Sequence, residues 1–438
     1  TVVALTMALS LVTGLVFGLV PAIVSARSIN DSFREGGRHG GGPRARRVLG
    51  TLVAVEVALS LVLLTGAGLL VRSFMRLSGI SPGFRAEGLL TMRVQLPPTR
   101  YDTSERVSGF SNTALARIGE LPGVRSAAGA AFLPLAGGGI GTSFYRTDQP
   151  TPGPGQAPAA DVRPVTPGFF RTMGIPQLTG RDFTAFDRGD SPPVAIVNET
   201  MVRGQFADGN PIGKRLHVNA GLIERLDYEI VGVVGDIKLS ALDREIRPTV
   251  YLPQTQLAVP LMTLVVRTEM NPLSLAPSVG AVVHALDREL PLADVRTMQE
   301  VVDATLARPR TVTALLVTFA VMALLLAAVG VYGVMAYSVA QRTQEIGVRM
   351  ALGATPRSVF DLVLAQALRL IGIGVVTGLA FAAALSRLLA ALLYETEPLD
   401  PATFIVTTVL LTAVALVASY VPARRGTRIA PVQALRAD

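Results

Sequence analysis

Five long stretches of the chain are predominantly apolar: residues 2–24, 48–71, 311–339, about 362–393, and 402–421. At about 1.5 Å of helical rise per residue, each can cross the roughly 30 Å hydrocarbon layer of a bilayer. Between the second and third lies a mostly polar segment, 72–310, too long to be a loop without its own fold. Its pattern alternates between strand and helix periods. Residues 89–96 read as a strand, 104–120 as a helix with Phe110, Leu115 and Ile118 apolar, and 124–133 as a second strand. The same order returns late, with strand 262–267, helix 273–290 and strand 295–298. The junction ELPGVRS (120–126) also resembles ELPLADVRT (289–297). Two β-α-β units that share one sheet and flank an insertion at about 140–255 are therefore expected. Strand candidates in the insertion are 192–198, 214–218, 228–237 and 249–253, separated by turns rich in Pro and Gly. Residues 151–158 read as a disordered surface loop, and 165–175 as a short helix opened by Pro167.

Charge orients these runs. Residues 25–47 carry Arg27, Arg34, Arg38, Arg44, Arg46 and Arg47 against Asp31 and Glu35. The tail carries Arg424, Arg425, Arg428 and Arg436, whereas the turn at 394–401 is acidic and holds no arginine. Short basic segments mark the cytoplasmic side, so 72–310 falls outside. Binding of the 25–47 segment to anionic lipid or to an acidic partner is the alternative reading of its charge. The composition fits spans plus one large domain: 50% hydrophobic, 16% charged, mean hydropathy +0.46. A net charge of +8 would suit nucleic acid, but the arginines gather beside the membrane runs rather than on one domain face. The absence of cysteine excludes disulfides, thiolate metal sites and thiol catalysis. The sequence starts inside an apolar run, which reads as a fragment or processed product. Residues 20–36 also echo 421–438, so the first span looks like the last helix of an earlier copy of the same unit.

Few residues stand out chemically. Residues 341–354, QRTQEIGVRMALGA, form a charged insert between two spans. Arg342, Glu345 and Arg349 are spaced to pair on one helix face. Ile346, Met350 and Leu352 offer apolar contact beside them, and Gly353 suits a left-handed helix stop. A solvated turn helix and a docking element both fit this pattern. Glu56 lies inside the second span, roughly 12 Å from its start. An acid at that depth is a functional candidate, or a carboxylate paired to Arg46 or Arg47 or facing another helix. Gly66, Ala67 and Gly68 would permit close helix packing. Other motifs fail. Gly209 to Arg215 has the wrong glycine spacing for a phosphate loop and reads as a turn before a strand. The GGGIG run at 137–141 could cradle an anion but reads as a loop. His39, His217 and His284 lack metal-ligand spacing. Asp182, Asp187 and Asp190 read as a solvated loop. Asn198-Glu199-Thr200 is a short glycosylation-type match of the kind that arises by chance.

The string EIGVRMALGA (345–354) resembles the signature of FtsX-like permeases, the membrane subunits of MacB-type ABC transporters. RRVLGTLVAVEVALSLVLLTGAGLLVRSF (46–74), NPIGKRL (210–216) and VGVVGDIK (231–238) support the resemblance, which covers nearly the whole chain. It implies a membrane α-helical protein of about five spans plus a large α+β extracytoplasmic domain of MacB periplasmic-core type. The layout would be a span of a preceding, duplicated permease copy (1–24), a cytoplasmic linker (25–47), a span (48–72) and a periplasmic domain (73–310). A three-helix FtsX-like portion (311–421) and a cytoplasmic tail (422–438) would follow. The resemblance further implies a bacterial inner-membrane permease that is not an enzyme and needs no cofactor. Its partners would be a separate cytoplasmic ABC ATPase, the missing N-terminal half or a second permease copy, and the lipid bilayer, without nucleic acid. Arg342, Glu345, Ile346, Gly347, Arg349, Met350, Leu352 and Gly353 would form the ATPase-coupling surface, driving efflux or mechanotransmission. A signalling protein that controls a periplasmic enzyme is the alternative with the same architecture.

Overall fold

The structure is a computed structural model and describes residues 43–206, 209–219, 227–390 and 393–427. The expected span at 2–24, the linker before residue 43 and the tail from 428 lie outside the described residues. The chain divides into two compact units, one of Thr1–Arg76 with Arg310–Asp438 and one of Leu77–Pro309.

Helix α1, Pro43–Ser78, opens the described residues. Proline is tolerated at a first helical position because its missing N–H would have no partner there. The outer unit follows. Strand β1 (Leu89–Gln95), helix α2 (Ser104–Gly119) and strand β2 (Val124–Ala130) form its first β-α-β unit. The inserted half contains β3 (Ile140–Arg146), β4 (Ala159–Val165), α3 (Phe169–Met173) and β5 (Gln177–Gly180). It continues through β6 (Val194–Asn198), α4 (Glu199–Gln205), β7 (Arg215–Asn219), β8 (Asp227–Val234) and β9 (Thr249–Pro253). Strand β10 (Leu261–Thr268), helix α5 (Ala276–Leu286) and strand β11 (Leu292–Thr297) complete the second β-α-β unit.

The two β-α-β units interleave in the order β11-β1-β10-β2. Alternate residues of β1 (Leu90, Met92, Val94) meet Phe110, Ala114 and Ile118 of α2 and Val279 and Val283 of α5 in one core. The expected helix 273–290 is shorter. A 3-10 turn at Pro272–Leu275 precedes α5, where a proline in the first turn fixes the start. Strand β11 begins earlier than 295 and accommodates Asp294 at φ 50°.

The inserted half closes on itself. Its strands follow β4-β3-β7-β8-β6-β9, and β9 returns to β4 in parallel register, Asp161 opposite Thr249. Closure removes exposed sheet edges. A separate core of Phe144, Val162, Val197, Leu216, Tyr228 and Leu252 fills the ring. Strands β3 to β5 and helix α4 were not expected. Strand β4, AADVRPV, buries Asp161 and Arg163 and contains Pro164, so neither hydrophobic alternation nor strand propensity marks it. Residues 151–158, expected to be disordered, form a turn in which Gln156 N donates to Gly153 O at 3.0 Å. One strand pair, Ala130 opposite Val165, links the sheets of the two halves, and α3 also packs on β2 and β10, with Arg267 Nε donating to Thr172 O at 2.7 Å. Flanking bonds run from Ala131 N to Pro164 O and from Thr166 N to Gly129 O, both 2.9 Å.

Of two polar sites singled out in sequence, Asn198 agrees with the reading of a chance glycosylation match and Asp187 differs from the reading of a solvated loop. Asn198 is buried: its amide donates to Asp236 and to Arg247 O, while its oxygen accepts from Met201 N and Thr249 N. It caps α4 and is closed to a glycan. Asp187 is also buried, in contrast to the exposed Asp190. Both its carboxylate oxygens accept from Arg181 at 2.8 Å, and Thr184 N and Oγ1 add two more bonds. Burial pushes the Asp187 carboxyl up, but the bonds from Arg181 and Thr184 outweigh it and hold it below the ordinary aspartate value of 3.8. A depressed folded value adds stability above the unfolded value, and this is lost as pH falls through the folded one. Asp187→Asn is therefore expected to cost about 1–3 kcal/mol at neutral pH. In thermal unfolding against pH, its deficit relative to wild type should shrink below the 3.8 of an ordinary aspartate. A pH-independent deficit would contradict the assignment.

The remaining helices are α6 (Met298–Gln341), α7 (Thr343–Ala351), α8 (Pro356–Leu389) and α9 (Pro401–Gly426). Four helices among the described residues, α1, α6, α8 and α9, are long and apolar enough to cross a membrane. Helix α1 packs closely on α8. Ideal Cβ atoms at Gly374 and Gly378 would lie 2.8 Å from Ala54 O and 3.0 Å from Ala58 Cα. Small residues four apart let helix backbones approach where lipid offers no hydrophobic drive. Hydrogen bonds tie α1 to its other neighbours, Ser60 Oγ donating to Ala323 O of α6 at 2.9 Å and Thr65 Oγ1 meeting Thr407 Oγ1 of α9 at 3.2 Å. At the acidic turn Arg72 pairs with Asp400, and Tyr394 N donates to Ser73 Oγ at 2.8 Å.

Candidate coupling site

Helix α7 is nine residues long and too short for stable isolated helicity, so its neighbours must hold it. They do so through Ile346, which is buried to 2% exposure, and Gly347, also buried. Glu345 in the first turn and Arg349 in the last complement the helix dipole. Arg349 meets Glu345 at 2.6 Å and Arg342 lies 3.9 Å from it, as the spacing predicts. These groups are partly exposed, so the pairs orient side chains more than they stabilise, at about 0.3–0.5 kcal/mol each. The helix ends at Ala351, and beyond it Gly353 takes φ 97°, with Ala354 N donating to Arg349 O at 2.9 Å. Thr355 then caps α8, whose first turn holds Pro356.

The structure divides the residues singled out in sequence. Glu345, Arg349 and Leu352 share an exposed stripe at spacings of three and four, and Ile346 and Gly347 face inward. Met350 is half-buried between the two faces. Val348, which sequence reasoning missed, completes the stripe at 41% exposure, and Leu352 stands out at 83%. Helical periodicity from Glu345 would have placed Val348 there. The exposed stripe thus mixes an ion pair with two aliphatic side chains. A helix resting on lipid would separate its charges from its apolar residues, whereas a helix seated in a protein groove uses both.

Glu56 lies half-buried on α1 and faces another helix. Its carboxylate occupies the space that a side chain at Gly330 of α6 would fill. Among the described residues it has no ion-pair partner. Gly330→Ala should displace the carboxylate, and Glu56→Ala should relieve the crowding. A double-mutant cycle on thermal unfolding is expected to show coupling of about 1 kcal/mol; additive effects would place Glu56 elsewhere. Among the described residues no cluster of His, Asp or Glu could hold a metal ion.

Residues 51–289 match the MacB-like periplasmic core domain, and residues 317–431 match the FtsX-like permease C-terminal region. A macrolide export ATP-binding/permease protein MacB from Marinobacter nauticus is 27% identical over 298 residues, covering 64% of this chain and 44% of that protein. A pyoverdine export ATP-binding/permease protein PvdT from Pseudomonas syringae pv. tomato is 25% identical, covering 74% of this chain and 48% of that protein. The chain therefore spans less than half the length of these relatives. Among solved structures, the periplasmic region of MacB from Actinobacillus actinomycetemcomitans aligns at TM-score 0.33 and 13% identity, covering 52% of this chain and 97% of that one.

Proposed function

Since the chain belongs to the FtsX-like permeases with a MacB-like periplasmic core domain, we propose that it couples ATP hydrolysis by a separate ABC ATPase to movement of its outer unit. The observation that carries this reading is the exposed stripe Glu345, Val348, Arg349 and Leu352 on α7. These 438 residues contain no phosphate-loop motif, so the ATPase is supplied by another domain or chain. Arg349 and Glu345 set the register of docking, Leu352 and Val348 enter an apolar groove, and Ile346 transmits the push inward because it is locked among the chain's own helices. Met350 supports the edge of the contact, and Gly353 sets the turn into α8. Helix α6 (Met298–Gln341) carries residues of both units, with Pro309 inside it at their boundary, and is the segment through which such movement would pass.

The relatives named for macrolide and pyoverdine export favour efflux as the outcome of that movement. The chain sits in the bacterial inner membrane with its outer unit in the periplasm. A second permease half, another copy or the one echoed at 20–36, completes the membrane portion. Purification from native membranes tests the reading. An ABC ATPase should co-purify with the wild-type chain and be lost with Glu345→Arg. Its absence from both samples would sink the proposal.

A further inference from the structure

In β1, alternate residues Leu90, Met92 and Val94 enter the core packed against α2 and α5, so Thr91 and Arg93 point to the opposite side of the sheet. There the 131–137 segment, which leaves β2, folds over the sheet and encloses a recess of about 50 Å³. That is several times the space one ordered water needs. Its walls are sharply divided. Thr91, Arg93, Thr263, Asp294 and Arg296, from three strands, supply a polar side, and Ala131, Phe132, Leu133 and Leu261 an apolar one.

The backbone is distorted on both sides of this recess. Strand β11 pairs Arg296 with Thr91 and Ala293 with Arg93, which leaves Asp294 and Val295 opposite Met92 alone. This bulge, with Asp294 at φ 50°, brings the Asp294 carboxylate onto Arg93 at 2.5 Å. Bulges re-aim side chains in this way. In the covering segment Leu135 takes φ 63° and Gly137, from the glycine run, φ 81°. Leu135 N is tied to Leu239 O at 2.8 Å. Aspartate and leucine at positive φ are unfavourable, and such residues gather where a site must be held in shape.

Asp294 neutralises Arg93, but Arg296 has no ion-pair partner among the described residues. Its Nε is buried and has no hydrogen-bond partner among them either. Thr91 Oγ1 donates to Arg296 O at 2.9 Å and fixes the strand from which this side chain springs. The lining therefore carries one uncompensated positive charge beside an apolar wall. The geometry points to this recess as a binding site for a monovalent carboxylate, carried by a free short-chain acid or by the end of a peptide. The Nε edge of a guanidinium presents two N–H groups that match the two oxygens of a carboxylate. Thr263 adds a hydroxyl, and the apolar wall receives the carbon next to the carboxylate. A sulfate or phosphate dianion would exceed the charge of the lining and leave that wall unused. Bound there, the carboxylate would join β1, β10 and β11 to the covering segment. The site lies wholly in the outer unit and is independent of the coupling reading.

The chain contains no tryptophan, so Ala136→Trp at the exposed rim places a single fluorescent reporter beside the recess. With the full chain in lipid nanodiscs, sodium propionate should shift the emission saturably, whereas propionamide, its neutral analogue, and sodium sulfate should not. Arg296→Gln in the reporter chain should raise the half-saturating concentration at least tenfold. Arg296→Lys, which keeps the charge but loses Nε, should raise it at least threefold. Wild type without the reporter should melt higher in propionate than in sodium chloride of equal concentration, and Arg296→Gln should remove that shift. Half-saturation by acetyl-alanyl-alanine below that by propionate would support the site as a receptor for peptide ends, and the reverse order as one for free acids. An equal response to propionamide or sulfate, saturation unaffected by Arg296→Gln, or no effect of propionate on either emission or wild-type melting would overturn the proposal. Loss of ATPase co-purification with propionate binding intact would overturn the coupling reading instead.

Discussion

Leu352→Asp should abolish stimulation of the partner ATPase while leaving the melting temperature of the permease unchanged. Leu352 is 83% exposed, so a carboxylate there meets water in the free protein and costs the fold little. In the docked state the same carboxylate would sit in an apolar groove without a partner. Loss of a central aliphatic anchor with burial of an unpaired charge exceeds about 2 kcal/mol, or roughly 30-fold in affinity. Ile346→Asp provides the contrast. At 2% exposure this change buries a charge inside the membrane unit and should lower the melting temperature before any effect on coupling is read. If Leu352→Asp stimulated the ATPase normally, the exposed stripe of α7 would be a surface of the turn and nothing more.

The second large effect is expected at Gly374. A methyl group there would meet Ala54 O at 2.8 Å and Val57 Cβ at 2.8 Å, and the carbonyl cannot swing aside. Gly374→Leu should separate α1 from α8 and destabilise the membrane unit by about 3 kcal/mol. Gly372, two residues earlier, has no atom within 4 Å of its ideal Cβ. Gly372→Leu should therefore be neutral or slightly stabilising, since leucine favours helix over glycine. Thermal unfolding of the two variants in the same detergent checks the pair. Equal melting temperatures would show that the close α1–α8 approach does not support the fold.

The spans were legible because bilayer thickness imposes a length on every apolar run, and the repeated β-α-β pattern because its cores alternate cleanly. Glycine packing was legible in kind but misplaced. Gly68 does approach Thr403, yet the close backbone contact lies at Gly374 and Gly378, spaced four apart in a run where glycines are frequent. The closed inserted half was half-hidden. Strands β6 to β9 show apolar runs, whereas β4 buries an aspartate, an arginine and a proline whose partners come from distant strands. Asp187 reads as a loop residue because its partner Arg181 lies six positions away on an irregular path. In α7 the charges and the glycine stop followed from spacing. The inward face did not, because apolar residues occur on both sides of so short a helix, and only packing separates Ile346 from Val348 and Leu352.

The central claim is that α7 couples the permease to an ATPase through its exposed stripe. The most direct measurement is the ATP hydrolysis rate of the co-purified ATPase in proteoliposomes containing wild type or Glu345→Arg. Both chains should show the same helical content and melting temperature. Wild type should stimulate hydrolysis, and Glu345→Arg, which sets three positive side chains together at 342, 345 and 349, should return it to the rate of the ATPase alone. Stimulation by Glu345→Arg equal to wild type would contradict the account.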